Sequence, residues 1–153
     1  MASNIRHYPD ISIVEGDVKV NIDFSKVSDR IGQAQFWLDS QIMTDMVPLM
    51  PHQTGTLINL TRTRSASIAG SGMVFAATGP YGRFQYMGKV MVDPVTRSPW
   101  ARKDAKKVLT DKNLTYSNPQ AVPRWFDEAK KLHGKEWVQG FADMVGEKNV
   151  TGK

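Results

Sequence analysis

From Val18 to Phe24 apolar and polar residues alternate strictly, which puts Val18, Val20, Ile22 and Phe24 on one face. A two-residue period is that of a half-buried β-strand. Ile11 and Ile13 begin a partner strand, with Glu15-Gly16-Asp17 as the turn. At Ser25 the period changes. Val27, Ile31, Ala34, Leu38, Ile42 and Met46 recur three and four residues apart, the stripe of a helix from about 25 to 46. Ser25 reads as its N-cap, with Asp23 and Asp29 near the positive end of the helix dipole. Phe36, Trp37 and Met43 fall off the stripe, so this helix is expected to bury a second surface. Pro48 and Pro51 end it, since proline lacks the donor and clashes with the preceding turn.

Beyond the prolines, residues 54–60 read as a short helical turn capped by Thr54. Residues 61–68 alternate weakly and are rich in threonine and serine. With Gly70-Ser71 as a two-residue loop and 73–78 as the return strand, they form an expected hairpin. Residues 81–87 suggest another short helix and 90–92 a brief strand. The stretch 94–118 is long and poorly patterned, as functional loops often are. Within it, residues 107–110 and 114–117 are expected to pair as a projecting hairpin across Asp111-Lys112-Asn113. Asn118-Pro119 and Pro123 open a last helix running to about Val145. Its apolar face is Phe126, Ala129, Leu132, Trp137, Phe141 and Met144, with a kink expected near His133-Gly134. These elements describe one α+β domain over residues 1–153. An antiparallel sheet of short strands packs against a long N-terminal and a C-terminal helix, and 94–118 projects as a loop or hairpin. Residues 1–10 read as an arm and 146–153 as a frayed tail.

Composition changes this picture in two ways. The hydrophobic fraction is 41% and the charged fraction 23%, ordinary for a globular chain, with no secretory-signal layout at the start. There is no cysteine, which removes disulfides, thiolate nucleophiles and cysteine-ligated metals. The +5 charge is unevenly placed: Arg97, Arg102, Lys103, Lys106, Lys107 and Lys112 face only Asp104 and Asp111, leaving +4 in one stretch. Such a cluster suits a phosphate backbone or an acidic protein partner, or simply keeps a loop solvated. Trp100 lies within it, where an exposed aromatic between Arg97 and Arg102 would suit a partner surface and local packing is the plainer alternative.

Candidate chemistry is sparse. The three histidines, His7, His52 and His133, show no spacing that would join two metal ligands on one face, and no serine sits in a G-x-S-x-G turn. Gly70-Ser71-Gly72 lacks the lysine of a P-loop. Asp39, Asp45, Asp127 and Glu128 read as carboxylates that keep helix faces wet. No catalytic residue, metal site or cofactor is expected.

Three elements in order carry a family resemblance. The first runs from Val47-Pro48 to Thr54-Gly55-Thr56-Leu57. The second is the segment from Gly79 to Lys89, continuing to Asp93-Pro94, with Pro80, Tyr81, Gly82, Phe84, Tyr86 and Gly88. The third starts at Asn118, includes Trp125 and Phe126, and is followed by Trp137. Together they span about 38–145 and resemble the minor capsid proteins of tailed bacteriophages, a family related to siphophage neck and tail-completion (head–tail joining) proteins. Physical roles suit these residues. Gly55 turns the chain sharply and Leu57 plugs the sheet. Tyr81, Phe84 and Tyr86 anchor a turn to the core, and Gly82 and Gly88 permit close approach or positive φ. Trp125 and Phe126 pin the last helix across the sheet.

The resemblance implies a virion protein at the neck, made in the host cytoplasm. It would be a subunit of a six- or twelve-fold homo-oligomeric ring joining the DNA-filled head to the tail. Its neighbours would be connector or head-closure proteins on one side and tail-terminator or tail-tube proteins on the other, with non-specific contact to packaged DNA and no membrane. The expected subunit or ring interface is Arg97, Trp100, Arg102, Lys103, Lys106, Lys107, Lys112 and Tyr116. The alternative is a DNA-binding module built on the basic stretch 97–112.

Overall fold

The computed structural model describes residues 10–15 and 17–146; the expected arm and tail lie almost wholly outside them. Strands β1 (Ile11–Glu15) and β2 (Val18–Ile22) pair antiparallel, with Ile11 opposite Ile22 and Ile13 opposite Val20. The half-burial expected of β2 fails at Val20, which is 45% exposed.

Helix α1 (Ser25–Met46) has the bounds its spacing implies. Its N-cap position is Phe24, not the expected Ser25, and no cap side chain bonds the first turn; the Ser25 N–H is met instead by Asp23 Oδ1 at 2.8 Å. Hydrogen bonds from the Ser25 hydroxyl and then the Ser25 amide, with a smaller contribution from Lys26, hold the Asp23 carboxyl below its usual range. A 3-10 turn at Val47–Leu49 follows, with Pro48 in its opening.

The second burial surface of α1 lies inside the same chain. On one side it meets α4 (Trp125–Val145). There the Trp37 ring lies so close to Gly140 that a Cβ on that glycine would sit 2.2 Å from the indole. Across the same interface the Trp137 Nε1–H donates to Asp45 Oδ2 at 2.7 Å. On another side Asp39, 3% exposed, accepts from the Gly70 and Gly72 amides at 2.8 and 3.0 Å. Asp39 and Asp45 are therefore packing carboxylates, not wetting ones. Asp127 and Glu128 stay at the surface in short-range pairs with Arg124 and Lys131. Phe36 remains exposed.

The expected 61–78 hairpin is replaced by helix α2 (Thr56–Ser67) and an irregular return segment. Ile58, Thr61 and Ser65 are its buried residues, three and four apart, so polar hydroxyls form the inner stripe and disguise the helical period. The Thr61 and Thr78 hydroxyls lie 3.3 Å apart, and Ser65 Oγ accepts from Phe75 N at 3.1 Å. Tertiary partners outweigh the strand preference of threonine.

Helix α3 (Gly82–Met87) and strand β3 (Lys89–Val92) fall where the sequence points. Strand β4 (Val108–Asn113) does not fold on 114–117 as expected. It pairs antiparallel with β3, with Lys89 opposite Asn113 and Val92 opposite Val108, across a bulge. The Lys89 ammonium reaches Asn113 Oδ1 at 2.6 Å, and Leu114 N–H is taken by Gly88 O, so 114 onward has no freedom to turn back. Residues 111–113, expected as a turn, are strand. The last helix starts only at Trp125, because Arg124 adopts a left-handed φ of 52° that no helix can pass through.

The α+β class thus stands, with two long helices and short antiparallel strands. The strands form two separate ribbons, β1–β2 and β3–β4. The core joins Met43, Met46 and Met50 to Ile58, Trp125, Ala129 and Trp137. Trp125 is fully buried, donates its Nε1–H to Ala76 O at 2.7 Å and meets Tyr86 edge-on. It pins α4 to the 73–78 segment and α3, not across a sheet. Phe126 stacks on Trp137 at 6.3 Å. Leu132, expected on the buried face, is 59% exposed. No described helix is long and apolar enough to cross a membrane.

Candidate interaction surface

Between β3 and β4 the chain makes an excursion over 93–107, built around one carboxylate. Asp93 is fully buried. Its Oδ1 accepts from Val95 N and Thr96 N at 2.8 and 3.0 Å, and its Oδ2 from Arg102 N and Arg102 Nε, both at 3.0 Å. The amides of Val95 and Thr96 fold the chain back on an aspartate side chain, with Pro94 supplying the intervening fixed φ. The Asp93 main-chain N–H and C=O close the same turn on Ser98 O and Arg97 N. The Arg102 amide, the Thr96 amide and the Arg102 guanidinium together hold the carboxyl far below its usual range. The excursion is therefore an organised loop. Arg97 and Asp104 keep positive φ within it, at 58° and 63°.

Within this loop Trp100 is 83% exposed, and Arg97, Lys103 and Lys106 are exposed as well; Lys112 is exposed on β4. The other three residues of the expected interface set make contacts within the chain. The Arg102 side chain, 54% exposed, pairs with Asp93. Lys107 lies over the Phe84 ring, 5.7 Å from its centroid. Tyr116 turns inward and donates its hydroxyl to Gln85 O, and burial pushes its pKa up.

The motif residues come together elsewhere. Thr54, Gly55 and Leu57, together with Pro80, Tyr81, Gly82 and Tyr116, line a groove of about 350 Å³. Gly55 takes φ 76° at the start of α2, as the sharp turn requires. Gly88 ends α3 at φ 66°, and a Cβ there would stand 2.5 Å from Pro123. Leu57 and Tyr86 pack on the core, whereas Tyr81 is exposed and touches Phe84 edge-on. Leu57 faces the core and this groove, not a sheet.

Asp39 reads from the sequence as a wetting carboxylate and Asp93 only as the end of a motif, so the loop-organising role of neither is visible there. The signal for Asp93 was present in Asp93-Pro94 followed by Val95-Thr96, a turn-forming arrangement. Asp39 gave none, because the two amides that donate to its Oδ2 lie 31 and 33 residues away. Among the described residues no cluster of three or more His, Asp or Glu side chains could hold a metal ion. Comparison of the chain with protein-family models, with curated proteins and with solved structures finds no match in any of the three.

Proposed function

We propose that this chain is a structural subunit of a tailed-phage virion, a head–tail connector or tail-completion protein that assembles into a ring between head and tail. The observation that carries the reading is the pairing of buried Asp93 with exposed Trp100. A fully desolvated carboxylate organises a loop whose largest apolar side chain is left in water. Tryptophan at 83% exposure wastes its burial energy in an isolated chain, and pre-organised aromatic and cationic side chains are the usual anchors of a protein interface. The ordered motifs described from the sequence supply the family in which such a loop would join neck proteins.

Electron microscopy of virions carrying a tagged copy tests the proposal. Label at the head–tail junction is expected; label confined to the capsid shell excludes it.

A second reading is favoured by Arg97, Lys103, Lys106 and Lys112, four exposed cations besides the Asp93-paired Arg102: the basic stretch binds duplex DNA. It requires an affinity that falls steeply with salt, and a filter-binding titration decides it.

A further inference from the structure

We propose that the cationic loop and β4 of one copy dock along the β1–β2 hairpin of the next copy, joining two ribbons into one intermolecular sheet. The inference rests on the ring-subunit reading and names the surface that the loop meets.

Strand edges make the first part of the case. Each ribbon has two strands, and among the described residues no third strand joins either. Five of the six residues of β4 are exposed, Val108 and Leu109 among them, and Val14 and Val20 are exposed on the hairpin. Open edges of this composition recruit another strand unless something covers them.

Charge selects the partner. Between Asp10 and Phe24 the chain carries Asp10, Glu15, Asp17 and Asp23 against Lys19, a formal −3. Between Arg97 and Lys112 it carries +4. Two hairpins would repel each other, and so would two cationic loops, while β4 itself is neutral, with Asp111 against Lys112. Only the unlike pairing brings opposite charges together. That pairing joins two different patches, so it is heterologous and propagates from copy to copy until it closes.

The test uses the full chain, which has no cysteine. Val14→Cys and Leu109→Cys proteins are mixed and oxidised. The expected product is a disulfide between unlike copies, well above either like-with-like product. In parallel, Glu15→Lys with Asp17→Lys, and separately Lys103→Glu with Lys106→Glu and Lys112→Glu, are each expected to weaken self-association about tenfold. Combining both sets in one chain restores it. Circular dichroism melts check that each variant folds, and the cysteine pair decides if a charge variant does not. Assembly that ignores the reversals, or like-with-like disulfides only, overturns the inference and leaves the ring reading standing. A wild-type chain that never self-associates, alone or with head and tail proteins, overturns both.

Discussion

Two donors of one residue, the main-chain N–H and the guanidinium Nε–H of Arg102, meet the same carboxylate oxygen of Asp93, each at 3.0 Å. The half-exposed guanidinium adds little by itself, since solvent screens such pairs. The main-chain bonds dominate, because a carboxylate accepting several amides has no equivalent partner once it is removed. Asp93→Ala strands the amides of Val95, Thr96 and Arg102 and is expected to cost about 2 kcal/mol. Asp93→Asn keeps one acceptor and costs less. Urea unfolding gives the first quantity, and hydrogen exchange at those three amides shows whether the loss is local.

Acid should act on the same loop. The folded Asp93 carboxyl titrates below the ordinary aspartate value of 3.8, so the folded state binds fewer protons than the unfolded state near that pH. Its contribution is complete above the ordinary value and is lost as pH falls toward the folded one. The stability difference between wild type and Asp93→Asn is therefore expected to hold constant from neutral pH to about 5 and to shrink below about 3.8. A difference that grows on acidification would contradict the assignment.

Two glycines of α4 should respond with opposite signs. At Gly134 an added Cβ makes only an ordinary contact, 3.6 Å from Lys130 Cγ, so Gly134→Ala is expected to stabilise by about 0.5–1 kcal/mol through helix preference. At Gly140 the added methyl meets the Trp37 ring, and overpacking outweighs the same preference. Gly140→Ala is expected to cost about 1–3 kcal/mol. Thermal melts of the two variants check the contrast.

Across that same interface, Asp45→Ala leaves the Trp137 indole N–H without its acceptor at a half-buried site, a cost of about 1–2 kcal/mol. Trp137→Phe in the Asp45→Ala background should cost less than in the wild type. Additive losses in this double-mutant cycle would show that the bond contributes nothing.

Long-period signals were the legible ones. The apolar spacing of α1 marks both its ends, and Gly88 before Lys89 marks where α3 gives way to β3. What stayed hidden depends on partners distant in the chain. Thr61 and Ser65 look like strand residues until Thr78 and Phe75 meet their hydroxyls. Val108 looks like half of a local hairpin until Val92 lies opposite it. At the interaction surface the cationic cluster and Trp100 can be read directly. The selection among them cannot, because Lys107 and Tyr116 are drawn inward by Phe84 and Gln85. Excising 97–115 to test the loop would also remove β4 and leave β3 unpaired, so a point substitution at Trp100 is the cleaner probe.

Sedimentation velocity of the full chain, wild type against Trp100→Ala, alone and with the flanking head and tail proteins, tests the central claim most directly. Trp100 is so exposed that its loss should leave the melting curve within about 0.5 kcal/mol of wild type. The expected result is closed assemblies of wild type and a Trp100→Ala protein that stays at the 17.1 kDa chain mass. Equal assembly of the two proteins, or none by wild type in any mixture, would contradict the account.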